Sequence, residues 1–293
     1  MKTNELINYI EEHKTLISDG ATGSNLQARG LDKGKAAETW VLENPDAIQQ
    51  LHSDFLKSGA NILLTCTFGG NHFRLEHGGL GDKVNEVNHT AVEIARKAIG
   101  EQEVLLAGSI GPLGQMLKPL GLLEIDEAQQ AYAEQAKALA HAGADFLLIE
   151  TQFDINEARA AIQGALSVCD LAIICSFSYD RGTKTMMGIS PTKMAQELDD
   201  FDLAALGINC GKSLENNLSC LQELTSVTDK PLWFKPNAGL PTLDDMGNAI
   251  YSITPAEMGA QAPSWIKAGA AIIGGCCGTS PEHLAAIAAN APL

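Results

Sequence analysis

The chain has 293 residues, and its 20 Lys and Arg against 36 Asp and Glu give a formal net charge of −16. So acidic a surface repels phosphate backbones and anionic lipids, which argues against nucleic-acid and membrane-surface partners. At 45% hydrophobic and 19% charged residues, the composition is that of a globular protein. Because there is no apolar N-terminal stretch and the cysteine count is odd, at seven, we expect a cytoplasmic protein without a disulfide framework.

Short apolar runs along the chain predict eight strands, and segments of helical periodicity lie between them. The apolar runs cover roughly 16–19, 61–65, 104–109, 146–150, 171–177, 204–209, 231–235 and 271–274. The clearest helical segments are 82–99, 126–142, 154–168, 213–224 and 281–290. This alternation predicts parallel strands with helices outside them, and eight such units fit a single (β/α)8 (TIM) barrel domain over 1–293. A doubly wound open sheet is the alternative architecture.

Three helix-to-strand corners carry the same short pattern, at 57–60, 141–144 and 267–270. Each begins with a basic residue, which suits the negative end of a helix, and continues to Gly-Ala before an apolar run. The glycine supplies the left-handed conformation that commonly ends a helix. Two connections that follow strands, 20–44 and 236–253, are unusually long. In a barrel such loops lie at the carboxyl ends of the strands, where active sites are built.

Three cysteines follow two of the predicted strands, Cys210 after the sixth and the adjacent Cys276 and Cys277 after the eighth. Neighbouring residues of a regular strand point to opposite faces, but Gly275 and Gly278 give the turn the freedom to aim both sulfurs at one ion. Three thiolates leave one position of a tetrahedral zinc open for substrate, so the pattern predicts catalytic zinc. A vicinal disulfide and a glycine-rich phosphate cradle are the alternatives.

Two acids stand at strand ends, Asp19 after the first run and Glu150 at the close of the fourth. A buried carboxylate is costly without a partner, and two carboxylates facing a thiol site suit the ammonium group of an amino acid. Asp19 on its own could instead cap a turn. His72 and His77 are interpreted as part of a solvated helix or loop.

At these residues the sequence resembles the homocysteine S-methyltransferase family. The resemblance covers almost the whole chain, and its specific motifs are Asp19-Gly20-Ala21-Thr22-Gly23, Gly207-Ile208-Asn209-Cys210 and Gly274-Gly275-Cys276-Cys277-Gly278-Thr279-Ser280-Pro281-Glu282-His283. It implies a (β/α)8 barrel that holds zinc through Cys210, Cys276 and Cys277. It also implies that Asp19 and Glu150 engage the amino group of homocysteine.

Two segments, 150–154 and 236–241, look like the methionine synthase branch of this family. Cys66 is a departure, because the family more often has Asn there; the metal ligands are unaffected. The sequence ends after the eighth predicted helix, so no folate-binding or cobalamin-binding domain is expected.

The resemblance implies transfer of a methyl group to a zinc-activated homocysteine thiol, giving methionine without a protein nucleophile. The candidate substrate contacts are Asp19, Gly20, Thr67, Ser109, Glu150 and Asn209, and Asn237 is a candidate fourth ligand in the empty site. The expected donor is a separate methylated corrinoid (methylcobalamin) protein, with S-methylmethionine or betaine as alternatives.

Two competing hypotheses are a non-catalytic homocysteine-binding module and an aldolase or hydrolase with structural cysteines. The latter needs a base at a strand end. Lys235, which precedes a proline, is the candidate, but we expect it only to pack or solvate its stem.

Overall fold

The computed structural model describes residues 1–244 and 249–291. The strands are β1 (Leu16–Ile17), β2 (Ile62–Leu64), β3 (Leu105–Ile110), β4 (Phe146–Gln152), β5 (Ile173–Phe177), β6 (Ala205–Cys210), β7 (Leu232–Pro236), β8 (Pro241–Leu243), β9 (Ala249–Tyr251) and β10 (Ala270–Ile273). The α-helices are α1 (Thr3–Glu12), α2 (Thr22–Ala28), α3 (Thr39–Glu43), α4 (Pro45–Lys57), α5 (His72–Glu76), α6 (Val84–Ile99), α7 (Ile125–Ala142), α8 (Ile155–Leu166), α9 (Pro191–Glu197), α10 (Leu214–Thr225), α11 (Pro255–Lys267) and α12 (Pro281–Asn290). A short 3-10 helix at Gly81–Lys83 precedes α6.

Eight parallel strands form one sheet in the order β1-β10-β7-β6-β5-β4-β3-β2. A parallel bridge between Ser18 and Ile62 joins the two outer strands, and the Asn61 amide donates to the Ile17 carbonyl at 2.7 Å. The sheet therefore curls back on itself with the helices between its strands. The predicted (β/α)8 barrel is confirmed, and the open doubly wound sheet is excluded.

Helix α1 packs against the amino-terminal end of the barrel. Its Leu6 and Ile10 join a buried cluster with side chains such as Phe146 and Trp233 from the strands. The Ala172 amide donates to the carbonyl of Met1 at 2.8 Å, which ties the chain start to a strand beginning. Because this end is filled by apolar side chains, space for a ligand remains at the carboxyl ends of the strands.

The repeated corner pattern has the predicted conformation in all three copies. Gly59, Gly143 and Gly269 have φ angles of 98°, 101° and 104°, in the region that favours glycine. The patterns at 57–60, 141–144 and 267–270 therefore end a helix and begin a strand.

The two long connections contain more regular structure than the sequence indicated. Segment 20–44 contains the short helices α2 and α3, and segment 236–253 contains the antiparallel pair β8 and β9. Residues 245–248 of the second segment lie outside the described residues. Within the described residues, no helix combines the length and hydrophobicity needed to span a membrane. The cytoplasmic location stays a prediction.

Candidate active site at the carboxyl ends of the strands

A cavity of about 570 Å³ opens at the carboxyl ends of the strands. Most of the candidate residues line it, namely Gly20, Thr67, Ser109, Glu150, Cys210, Cys276 and Cys277. Segment 20–38 forms part of its outer wall. The barrel thus brings together residues that are up to 257 positions apart in the sequence.

The three cysteines form one cluster, as predicted. Their sulfurs all lie within 4.8 Å of one another, and the Sγ atoms of Cys210 and Cys276 are 2.9 Å apart. All three are free thiols, so the vicinal disulfide considered above is not present. Cys210 has a φ of 57°, unusual for a residue other than glycine, and this conformation ends β6 at the cluster.

The turn after β10 requires its two glycines. A Cβ at Gly275 would lie 2.4 Å from a side-chain carbon of Thr279, and Gly278 has a φ of 81°. Thr279 closes this turn by donating from Oγ1 to the Cys276 carbonyl at 2.6 Å. The glycines flanking Cys276 and Cys277 therefore serve the close turn that the sequence suggested.

The thiol cluster has the donor chemistry of a zinc site. Zinc–sulfur bonds of about 2.3 Å in a tetrahedron place sulfurs about 3.8 Å apart, so Cys210 and Cys276 would separate by about 0.9 Å around the ion. Hydrogen bonds from Cys210 and Cys276 lower the pKa of Cys277 to about 3, which favours its thiolate form. Beside the cluster, the Asn237 Oδ1 atom is buried without a hydrogen-bond partner among the described residues.

Asp19 lies behind the residues that line the cavity, where it is paired with Lys235. Lys235 Nζ lies 2.7 Å from Asp19 Oδ1, and the two side chains are 3% and 1% exposed. The other carboxylate oxygen of Asp19 accepts from the Leu64 amide at 2.8 Å. Burial opposes the charge on Lys235, but the attraction of Asp19 and Glu150 outweighs it and raises the Lys235 pKa.

The expectation that Lys235 only packs or solvates its stem is therefore wrong. Its ammonium group lies inside the barrel and lines the cavity. Alternation along β7 could have indicated this, because Lys235 is two residues beyond Trp233 and so points to the same inward face.

Glu150 is the other buried carboxylate of the cavity. Its Oε1 atom accepts from Ser109 Oγ at 2.6 Å. Burial raises the Glu150 pKa to about 7, although Lys235 acts in the opposite direction. Ser109 is held in turn by its amide, which donates to Thr65 Oγ1, and by Thr67 Oγ1, which donates to its carbonyl. Hydroxyl groups thus orient one face of the Glu150 carboxylate.

Asn209 lies behind the cavity wall and is fully buried. Its Oδ1 atom accepts from the Thr151 amide at 2.9 Å and from Ser176 Oγ at 2.5 Å. Its Nδ2 atom donates to Thr151 Oγ1 at 2.6 Å and lies 3.8 Å from Cys276 Sγ. These bonds give Asn209 a supporting place beside Glu150 and the thiols.

Tyr251 is a site residue that the sequence reasoning missed. Its ring packs on Gly278, where a Cβ would lie 2.2 Å from the Tyr251 Cγ atom. Its hydroxyl hydrogen-bonds to Cys277, and burial together with the cysteines raises the Tyr251 pKa to about 12. The contact depends on how the β8–β9 hairpin folds over the barrel, for which the sequence contains no signal.

A third buried acid of the site, Glu38, also lines the cavity. Its Oε1 atom accepts from the Gly69 amide at 2.6 Å, and burial raises its pKa. Phe68 and Cys66 line the same region, where Cys66 is fully buried and burial raises its pKa well above the usual value.

The two histidines differ in their relation to this cavity. His72 and His77 are exposed at helix α5, as predicted. His77 lines the outer region of the cavity, whereas His72 contacts the Gly81 carbonyl through Nδ1 at 2.9 Å.

The fold and the site together define a (β/α)8 barrel protein with a thiol cluster at the carboxyl ends of its strands. Residues 16–291 match the model of the homocysteine S-methyltransferase family, and the chain belongs to that family.

Similar proteins include both free-standing and much longer chains. The sequence is 28% identical to homocysteine S-methyltransferase YbgG of Bacillus subtilis, covering 98% of this chain and 97% of that one. It is also 28% identical to methionine synthase of Mycobacterium tuberculosis, covering 94% of this chain but only 24% of that protein. The metallated form of the homocysteine methyltransferase MmuM from Escherichia coli is similar in structure, with a TM-score of 0.83, 27% identity and coverage of 97% and 99%.

Proposed function

We propose that this protein is a zinc-dependent homocysteine S-methyltransferase that forms methionine. The observation that carries the proposal is the meeting of three thiols and the buried Glu150 in one cavity. A protein similar in structure over almost its entire length, MmuM, is described in a metallated form. The proposed substrate is homocysteine. It is supported by the family to which the chain belongs, by the thiol cluster that can hold a metal for its sulfur, and by the acid that can meet its amino group.

Cys210, Cys276 and Cys277 are the proposed zinc ligands. Bound zinc would lower the pKa of the homocysteine thiol and so keep its sulfur nucleophilic at neutral pH. The buried, unpartnered Oδ1 of Asn237 supports this residue as the fourth ligand when substrate is absent. Asn209 and the glycine-rich turn hold the cysteines in place.

The amino-acid end of homocysteine is proposed to lie deep in the cavity. The Glu150 carboxylate accepts hydrogen bonds from the substrate ammonium. Ser109 holds that side chain in place by donating to it. Gly20 and Thr67 form the adjacent walls. A Cβ at position 20 would lie 2.7 Å from Phe55, so glycine is needed there for close packing. These residues position the substrate sulfur near the three thiols.

The methyl donor has two candidates. The segments 150–154 and 236–241 favour a separate methylated corrinoid protein, as expected from the sequence. A small methylated cation such as S-methylmethionine or betaine is favoured by the outer cavity, where buried Glu38 and Phe68 offer a carboxylate and an aromatic ring.

The proposal is tested by incubating zinc-loaded protein with homocysteine and each donor in turn. We expect methionine, measured by mass spectrometry, with one donor class and none after zinc is removed by chelation. Equal methionine formation by the zinc-free protein would contradict the role of zinc. Homocysteine binding without methionine from any donor would contradict the enzymatic proposal and favour the binding module.

A further inference from the structure

Lys235 has hydrogen-bonding capacity that the protein itself does not use. An ammonium group has three N–H donors, and within the described residues its hydrogen-bond partner is Asp19 alone. The Trp233 ring lies 5.6 Å from Nζ and offers a weaker contact. Buried polar groups are normally satisfied, and Lys235 is 2% exposed while lining the cavity. Its remaining donors therefore suit an acceptor that arrives with a ligand.

Glu150 presents the opposite charge to the same cavity. Both side chains line the cavity and both are buried, Lys235 at 2% and Glu150 at 6% exposure. Yet no direct ion pair joins them in the part of the chain that the structure describes, because Lys235 bonds Asp19 and Glu150 bonds Ser109. A carboxylate and an ammonium thus line one cavity with their remaining capacity free.

We propose that Lys235 receives the α-carboxylate of the amino-acid substrate while Glu150 receives its α-ammonium. The inference rests on the proposed function, since it takes homocysteine as the substrate. The two charged groups of an amino acid share one carbon atom, so one substrate can satisfy both of the opposite charges that line this cavity. Lys235 is then a specificity-determining residue for α-amino acids that carry a thiol.

Asp19 has a different role in this arrangement from the one that the family resemblance implies. Both of its oxygens already accept a hydrogen bond, from Lys235 and from the Leu64 amide. Asp19 is therefore a positioning residue that aims Lys235.

The alternative is that Lys235 only neutralises Asp19 and does not meet the substrate. The two cases differ in how removal of Lys235 affects thiols with and without a carboxylate. 3-Mercaptopropylamine is homocysteine without the carboxylate, and 4-mercaptobutyrate is homocysteine without the amine. Isothermal titration calorimetry of the zinc-loaded protein measures all three affinities without any methyl donor.

We expect the wild-type protein to prefer homocysteine over 3-mercaptopropylamine by roughly tenfold to a hundredfold, the range of a charge-assisted hydrogen bond. Lys235→Met should lose most of this preference and weaken 4-mercaptobutyrate binding, while 3-mercaptopropylamine binding changes little. The double variant Lys235→Met with Asp19→Asn removes both buried charges and should show the same loss of preference, so a folding defect of the single variant does not hide the answer. Lys137→Met removes a charge from an exposed position of α7 and serves as the control.

An unchanged preference in Lys235→Met, with all three thiols weakened by the same factor, would overturn the proposal and leave Lys235 as a support for Asp19. If the zinc-loaded wild-type protein binds none of the three thiols, the proposed function itself fails. The two failures are distinguishable because the first requires wild-type binding of homocysteine and the second excludes it.

Discussion

Asn209 and Thr151 hold each other through a reciprocal pair of hydrogen bonds between two strand ends. The Thr151 amide donates to Asn209 Oδ1 at 2.9 Å, and Asn209 Nδ2 donates to Thr151 Oγ1 at 2.6 Å. Two residues at this pair have a strained backbone. Thr151 itself has a φ of 60°, and Cys210, which follows Asn209, has a φ of 57°. One side chain thus stabilises the backbone next to both Glu150 and a proposed metal ligand.

Asn209→Ala should therefore weaken zinc binding and folding together. Loss of a supporting hydrogen bond to a metal site typically costs tenfold to a hundredfold in affinity, so we expect a decrease of about that size. The unpaired Thr151 amide should lower the free energy of unfolding by about 1–3 kcal/mol. Competition with a zinc chelator and urea unfolding measure the two effects. Asn156→Ala, at an exposed position of α8, is the control, and equal zinc affinity in both variants would contradict the supporting role.

Glu150→Gln tests the recognition of the substrate ammonium. The neutral amide keeps the shape of the side chain but loses the charge that the ammonium would meet. We expect homocysteine affinity, measured by calorimetry, to fall roughly tenfold to a hundredfold, whereas 4-mercaptobutyrate, which has no amine, loses little. Glu134→Gln on the exposed face of α7 should change neither. Equal weakening of both thiols would show that Glu150 does not bind the amine.

Gly20 and Gly23 provide opposite predictions for the same substitution. A Cβ at Gly20 would lie 2.7 Å from Phe55 and 2.9 Å from the Thr279 carbonyl, so Gly20→Ala should lower the free energy of unfolding by about 1–3 kcal/mol. A Cβ at Gly23 would meet nothing within 4 Å, and in helix α2 the Gly23→Ala change should raise stability by about 0.5–1 kcal/mol. Urea unfolding of both variants compares them. Equal stability would contradict the packing described at Gly20.

The buried His52 should lower the free energy of unfolding in mild acid. Burial lowers its pKa from 6.5 to about 4, although the charge of Asp19 acts in the other direction. The unfolded chain therefore binds more protons than the folded chain between these values, so stability falls as pH decreases through this window. The full difference corresponds to about 3 kcal/mol. His52→Leu should remove this contribution, and urea unfolding at several pH values between 7 and 4 measures it. An identical pH dependence in both proteins would contradict the assignment.

The sequence predicted the site residues that lie at strand ends, because the carboxyl ends of parallel strands meet at one face of the barrel. Cys210, Cys276 and Glu150 each follow or end an apolar run, and their chemistry alone indicated a metal and an amine. The three corner glycines were predictable for a similar reason, because the left-handed end of a helix is a local property.

The parts that were missed depend on contacts between distant elements. Tyr251 reaches Cys277 only because the β8–β9 hairpin folds over the barrel. Lys235 followed an alternation that was visible in β7. Its pairing with Asp19 depends on the barrel order, in which only β10 lies between β1 and β7. Under the proposal for Lys235, Asp19 aims that ammonium group, because its negative charge is already met by the protein.

The most direct test of the account is the zinc content of Cys210→Ala, measured by mass spectrometry of the purified protein alongside its methyl transfer to homocysteine. Cys220→Ala, which removes a fully buried thiol outside the cluster, is the matched control. We expect about one zinc per chain in the wild-type protein and in the control. Cys210→Ala should lose both the zinc and the methyl transfer. A Cys210→Ala protein that keeps full activity without zinc would contradict the account.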